Sequence, residues 1–335
     1  MAKESSKKNS IRIQDIAQEI GTSASTVSRA LNDHPKISKQ MKEKVLDVAI
    51  QMGYKPAIPS LMSGNESKTI ALILPSISDA YYSEIFKSVQ EFSLRKNFAL
   101  MVCETDYDIA KEQFYFEQME LMKIRGIIYL AHQHTSELSI LKDFIRKRIP
   151  LVFIHENELK EMVPTVILDV YQGLHESIQH LKSNGAINIA LCLNHQNPVY
   201  REIEKLFVKL LEIENLPYSE DLVFSDNDLQ AVISDVQKSR PIPDAMIVST
   251  TMIAYSFQQL MRKSNGQLKD MLLIGLNSDD FDGFARPKLT QLKLPSNQIG
   301  EEAAQLMFKR IESGVDPKSK VLFSRLIIKS STMRI

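Results

Sequence analysis

Apolar residues in the first 56 positions recur at helical spacing. Ile13, Ile16, Ala17 and Ile20 form one stripe of a short helix. Gly21 ends it, because glycine tolerates the left-handed conformation of a helix terminus. Ser23 then offers a side-chain oxygen to cap a second helix. That helix turns Val27, Ala30 and Leu31 inward and leaves Ala24, Ser25, Ser28 and Arg29 outward. A third follows His34-Pro35, capped by Ser38, with Met41, Val45, Val48, Ala49 and Met52 facing in; Gly53 and Pro56 stop it. The polar stretch ahead of the first helix reads as a flexible arm.

From Thr69 onward the pattern changes. TIALILP, FALMVCE, GIIYLA, PLVFI, INIALCL, DAMIVS and MLLIGL are short apolar runs without strict alternation. Runs of that kind suit strands buried on both faces of a parallel sheet. Amphipathic stretches at 82–96, 110–123, 173–183 and 298–312 separate them, which predicts βαβ units. This many strands predicts two sheets.

Composition sharpens the division. The 335 residues are 44% hydrophobic and 24% charged, ordinary for a globular chain of more than one domain. Formal net charge is zero, which argues against a general polyanion binder. Residues 1–66, however, carry ten Lys and Arg against seven Asp and Glu, a net of +3, so the remainder carries −3. A basic head on a mildly acidic body suits a polyanionic partner that meets one end only. Cys103 and Cys192 suggest neither a disulfide framework nor a zinc pattern. No apolar run approaches the roughly 20 residues that span a bilayer, and no signal core follows the basic start; a soluble, cytoplasmic protein is expected.

Two helices joined by a tight glycine turn and braced by a third have the layout of a helix-turn-helix, whose second helix enters the major groove. Small residues on its outer face permit close approach, and the Arg29 fork can grip a guanine or a phosphate. The segment IQDIAQEIGTSASTVSRALN, followed by IS, KV and MGYKP, resembles the head of the lac repressor/galactose repressor (LacI/GalR) family of bacterial regulators. The resemblance implies that Ala24, Ser25 and Arg29 are the main base-reading positions, with Ile13 and Gln14 reaching DNA from the first helix. It implies phosphate or supporting roles for Thr26, Ser28 and Asn32, beside the capping Ser23, and a backbone contact for His34. It also implies a hinge that places an apolar wedge in the minor groove. Here that wedge is Leu61 or Met62, in a short segment bearing Pro59 and ending at Gly64.

The same resemblance continues, more loosely, through PSISDAYYSEIFKSV, TVILDVYQG, HLKSNGAINIALCL, LLIGLNSDD and PKLTQLKLPSNQIGEEAAQLM. The expected fold is therefore an N-terminal all-α helix-turn-helix head plus an α/β, two-lobed, periplasmic-binding-protein-like core. The head spans 1–56, the hinge 57–67 and the core 68–335. One lobe combines about 69–166 with 295–325, the other 167–293 with 326–335.

The resemblance implies an effector site between the lobes. Asp79, Tyr81, Tyr82, His155, Arg201, Thr250 and Asn277 fall at or near its positions, although ungapped alignment through Leu206-Phe207 substitutes Ile203 for Arg201. Thr250-Thr251, His155 and Asn277 stand where carboxylates or amides are usual, so the set is atypical for a sugar. A small-molecule effector is expected, with carbohydrate the class implied by resemblance. The alternative is a ligand-binding module, or a regulator controlled by a protein partner with a vestigial pocket. The other expected partners are double-stranded operator DNA, read as a homodimer on a pseudo-palindrome, with repression the implied outcome.

Catalytic patterns are absent from the sequence: no G-x-G-x-x-G, P-loop or nucleophile elbow occurs. His175-Glu176 with His180 resembles a zinc helix, but the i,i+5 spacing turns the histidines ~140° apart. His132 and His134 read as a solvated loop pair, and Asp279, Asp280 and Asp282 before Gly283 mimic part of a calcium loop but lack its distal glutamate. No enzyme activity, cofactor or metal is expected.

Overall fold

The computed structural model describes residues 11–31, 34–52, 68–130, 139–155, 159–194, 197–225, 229–249, 251–263, 267–276 and 286–333. The chain divides into two compact units, Met1–Ser67 and Lys68–Ile335.

In the first unit, helices α1 (Ile13–Ile20), α2 (Ala24–Leu31) and α3 (Lys39–Gln51) each pack against the other two. Their shared core is Ile16, Ala17, Val27, Ala30, Val45 and Ala49, the stripes expected from spacing. Ile13, Ile20, Leu31, Met41, Val48 and Met52 pack around it, half-buried. Ala24, expected outward, is also half-buried against this core, because the first residue of α2 faces the turn that leads from α1. Gly21 takes φ 74°, the left-handed terminus that its position predicted.

The second unit holds two six-stranded sheets. Strands β1 (Thr69–Leu74), β2 (Ala99–Glu104), β3 (Gly126–Leu130), β4 (Leu151–Ile154) and β5 (Thr165–Asp169) join β11 (Lys320–Phe323) in the order β11-β5-β4-β3-β1-β2, all parallel. The second sheet runs β12-β10-β9-β8-β6-β7, from β6 (Ile189–Leu193), β7 (Val223–Ser225), β8 (Ala245–Val248), β9 (Leu272–Leu276), β10 (Thr290–Lys293) and β12 (Arg325–Ile327). Among the described residues only the β10–β12 pair is antiparallel. Central strands β3, β6, β8 and β9 are buried at every position, as strands covered on both faces must be.

Helices α4 (Ala80–Arg95), α5 (Ile109–Met122) and α6 (Ser139–Arg146) belong to the first lobe; α7 (Tyr171–Ser183), α8 (Pro198–Ile213), α9 (Leu229–Lys238) and α10 (Thr251–Lys263) to the second. Helix α11 (Ser296–Ser313) returns from the second sheet to lie along α4. Their approach is close enough that a Cβ on Gly300 would lie 2.5 Å from the carbonyl oxygen of Ile85.

The chain therefore crosses between lobes three times: after Asp169, between Lys293 and Ser296, and at Ser324. Two of these differ by a few residues from the expected points. Residues 167–169 complete β5, whose register runs Val166–Asp169 against Lys320–Phe323, so they stay in the first sheet. Arg325 pairs with Lys293 across the antiparallel ladder and so belongs to the second. Gly173 sits where crossings converge: a Cβ there would meet Ser324 Oγ at 2.4 Å and Leu292 Cδ1 at 2.8 Å.

Candidate DNA-reading face and inter-lobe site

Helix α1 opens with the Asp15 carboxylate accepting the Arg12 backbone N–H at 2.7 Å. Ser23 opens α2 as expected, its Oγ accepting the Thr26 backbone N–H at 3.2 Å. The same Oγ lies 2.9 Å from both Ser25 Oγ and Thr26 Oγ1, so three hydroxyls cluster at the positive end of the helix. Ser25 and Arg29 are exposed and share one face at i,i+4 spacing; Gln14 on α1 is exposed as well. Thr26 and Ser28 are half-buried.

His34 donates its backbone N–H to the Arg29 carbonyl at 2.9 Å, while its Nδ1 accepts the Lys36 backbone N–H at 3.2 Å. That bond puts the proton of the neutral ring on Nε2, as a donor. Asn32, and the hinge with Leu61 and Met62, lie outside the described residues.

In the core, residues from both lobes meet at the N-termini of α4 and α8. Asp79 caps α4, its Oδ1 accepting the Tyr81 backbone N–H at 2.8 Å. Asn197 caps α8, its Oδ1 accepting the Val199 backbone N–H at 3.0 Å, with Pro198 in the first helical position. The two caps bond each other across the lobes: Asn197 Nδ2 donates to Asp79 Oδ2 at 3.2 Å. Tyr82 adds a second crossing bond, its hydroxyl donating to Asn197 Oδ1 at 3.0 Å. Asn197 is fully buried, and Tyr81 and Tyr82 are each 1% exposed.

Tyr81 packs edge-on against Tyr82, with ring centroids 5.3 Å apart, and stacks on His155 at 5.7 Å; its hydroxyl lies 3.4 Å from His155 Nε2. Burial pushes both phenols well above their ordinary range, aided by the Asp79 charge at Tyr81 and by Tyr107 and then Asp79 at Tyr82, so they stay protonated. Burial holds the His155 imidazole down at about 4, so it is neutral near pH 7. His155 also takes φ 74°, a backbone conformation uncommon outside glycine.

Arg201 lies one turn along α8 from Asn197, and its Nε is enclosed without a hydrogen-bond partner among the described residues. Ile203, the position favoured by ungapped alignment, is fully buried in the hydrophobic core and cannot line a polar site. Thr250 and Asn277 lie outside the described residues. The structure brings Asp79, Tyr81, Tyr82 and His155 together, with Asn197, which the sequence reading did not name, beside them. The available signal was the dipeptide Asn197-Pro198, a cap followed by a first-turn proline.

His175 and His180 take different partners, as their spacing on α7 requires. His175 Nε2 meets Glu214 Oε1 at 2.8 Å, and His180 Nε2 meets Thr332 Oγ1 at 2.7 Å. Among the described residues no group of three or more His, Cys, Asp or Glu side chains could hold a metal ion. His132, His134 and Asp279–Asp282 lie outside them. Among the described residues no helix is long and apolar enough to cross a membrane.

Two helices joined at a left-handed glycine and braced by a third have the helix-turn-helix layout, in which the second helix enters the major groove, and the second unit is a two-sheet α/β core. Residues 12–57 match the model for bacterial regulatory proteins of the lacI family, and residues 178–332 match a periplasmic binding protein-like domain. The transcriptional regulator DegA of Bacillus subtilis is 28% identical over 330 residues, covering 96% of this chain and 97% of its own. Catabolite control protein A of Priestia megaterium is 24% identical over 96% of this chain and 99% of its own. In structure, the lac repressor dimer bound to operator and an anti-inducer superposes with a TM-score of 0.70 at 17% identity, covering 97% and 100% of the two chains. A complex of the regulator CelR with cellobiose gives 0.67 at 20% identity, covering 96% and 99%. The head of the chain, residues 12–57, is thus similar to the lacI family of bacterial regulatory proteins, and the 28% identity to DegA extends the similarity along 96% of the chain. Relatives named as HTH-type transcriptional regulators or repressors include DegA, RegA of Clostridium saccharobutylicum and PurR of Histophilus somni.

Proposed function

We propose that the chain is a dimeric repressor acting in the cytoplasm, binding a pseudo-palindromic operator through α2 and responding to a small molecule between the lobes of its core. The observation that carries the DNA reading is the exposed pair Ser25 and Arg29 on α2, immediately after the Gly21 turn. Gln14 flanks that face from α1, with Ile13 beside it, and the Nε2 donor of His34 is suited to a phosphate. Ser23, Ala24, Thr26 and Ser28 hold the face in shape or approach the backbone. Asn32, and Leu61 or Met62 as the hinge wedge, complete the interface.

The test is selection of DNA sequences by the intact chain, followed by affinity measurements on Arg29→Ala. Loss of a guanine contact removes ~1–3 kcal/mol of preference for the selected site. Undiminished preference in that variant overturns the assignment of α2.

The effector is assigned to Asp79, Tyr81, Tyr82, His155 and Arg201, with Thr250 and Asn277. Carbohydrate is the leading class: solved relatives of this fold are described with cellobiose and with ribose. The buried aromatic pair and the enclosed Arg201 Nε support a ligand with an apolar face and at least one acceptor. A thermal-shift screen of sugars, sugar phosphates, nucleobases and uronic acids tests it, since a true ligand stabilises further as its concentration exceeds Kd.

A second reading, control by a protein partner with a vestigial pocket, is favoured by the bonds that Asp79, Tyr82 and Asn197 make with one another. A complete absence of stabilising small molecules selects it. No turnover is expected of the core with any of the screened compounds.

A further inference from the structure

All six strands of the first sheet run parallel, so the segments that lead into them share one end of the lobe. Backbone bonds tie these segments together. The Ala99 N–H donates to the Lys68 carbonyl at 2.8 Å, Arg125 to Thr69 at 2.9 Å and Ile127 to Pro150 at 2.9 Å. Lys68 with residues 95–98, 120–125, 146–150, 160–164 and 309–319 holds twelve Lys and Arg against four Asp and Glu, a net of +8. Residues 67–335 carry −3 in total, so the rest of the core carries −11. The other end of the same sheet is acidic, with Glu104 and Asp169 closing their strands and Asp79, Asp106 and Asp108 just beyond.

Helix dipoles favour cations in last turns, which accounts for part of this asymmetry. Lys68 and Lys318, however, belong to no helix. The charged groups of Lys68, Lys123, Arg148, Lys309 and Lys318 have no carboxylate partner among the described residues, and all five side chains are exposed. Unpaired like charges gathered on one face repel one another and add nothing to packing, but they attract a polyanion. The chain also enters the core on this face, since the second unit begins at Lys68.

We propose that the basic end of the first lobe is a second DNA-contacting surface, which binds backbone phosphates of the duplex held by the head. The inference rests on the reading of the head as DNA-binding and extends that reading to the core. Lys and Arg on phosphates supply affinity and set its salt dependence without reading bases. An acidic protein would match the charge as well, but DNA is the polyanion that the tether holds at high effective concentration.

The test neutralises four of these cations together in the full-length protein, by Lys68→Gln, Lys123→Gln, Arg148→Gln and Lys318→Gln. Their exposed, unpaired side chains leave the fold in place, which a thermal melt verifies. A control variant removes the same charge from the second lobe, through Gln at the exposed residues Lys209, Lys238, Lys263 and Lys269. Affinity for the selected site and for a random duplex is measured by fluorescence anisotropy over a series of salt concentrations. Each phosphate contact contributes about 0.9 to the slope of log K against log salt.

The expected result is a slope lower by up to ~3–4 on both duplexes in the first variant, with a wild-type slope in the control. A wild-type slope on either duplex in the first variant, or an equal loss in the control, overturns the surface. If the wild type selects no sequence, the reading of α2 fails, while a lowered slope on the random duplex still upholds this face as a phosphate-binding one.

Discussion

Glu112 is 2% exposed in the first turn of α5, where the Tyr129 hydroxyl donates to its Oε2 at 2.6 Å. Phe116, in contact with Tyr129, belongs to the apolar cluster around them. Burial, aided by the Asp108 charge, pushes the carboxyl up to about 7, against the lowering effect of the tyrosine bond. The native state therefore binds a proton more tightly than the unfolded chain, whose carboxyl keeps its ordinary value near 4.5. The resulting stability is fully present below the unfolded value and is lost as pH rises through about 7. At about 1.4 kcal/mol per pH unit, the interval is worth ~3 kcal/mol. Glu112→Gln keeps the shape and an oxygen for Tyr129 but cannot ionise. It should match the wild type within ~1 kcal/mol at about pH 5 and exceed it by ~3 kcal/mol at about pH 8.5. Urea unfolding followed by circular dichroism, with the two proteins paired at each pH, isolates this one group from all other titrations. A wild-type-to-variant difference that stays constant across the range would refute the buried-acid account.

Three further outcomes follow from local geometry. Gly300→Ala should lower stability by ~1–3 kcal/mol in thermal melts, since its Cβ lands 2.5 Å from the Ile85 carbonyl oxygen and 2.8 Å from Ser88 Cβ; an unchanged melt denies the close α4–α11 contact. Ser23→Ala should cost the head ~0.5–2 kcal/mol, seen as faster hydrogen exchange at the Thr26 amide, and equal exchange would mean the cap is not made. Glu214, held at about 2 by bonds from Gln179, His175 and Lys182, contributes stability above the ordinary carboxylate value that is lost as pH falls through about 2. Glu214→Gln should therefore melt earlier than the wild type at neutral pH, with the gap closing in acid; a pH-independent gap contradicts the ionic origin.

The fold was legible where burial was two-sided or periodic. All seven apolar runs named from the sequence became strands: β3, β4, β6, β8 and β9 are buried at every position, as strands covered on both faces must be, whereas β2, at a sheet edge, is mostly half-buried and was marked by its apolar residues alone. The edge strands β7, β11 and β12 were not distinguishable that way: Lys320–Phe323 is half-exposed or exposed throughout, so no burial constraint marks it in the sequence. Helix ends shifted for a related reason. The stretch expected at 82–96 spans Ala80–Arg95, because its start is set by the Asp79 cap, and apolar periodicity does not register a polar cap.

The same blindness explains the missing member of the inter-lobe site. Comparing pocket positions by type finds Tyr81, Tyr82 and His155, whose rings are conspicuous, and misses Asn197, whose local role is only to start α8. Yet Asn197 limits what the site can do. Its Oδ1 has two lone pairs, and Val199 and Tyr82 take both; its amide has two protons, and Asp79 takes one. A ligand that approaches this asparagine can accept its remaining proton, but it gains a second bond only by breaking one that crosses the lobes. The Val199 bond belongs to the helix and costs a cap to break, so the bonds to Tyr82 and Asp79 yield first. Any group that bonds Asn197 beyond that remaining proton therefore competes with the contacts that join the two lobes.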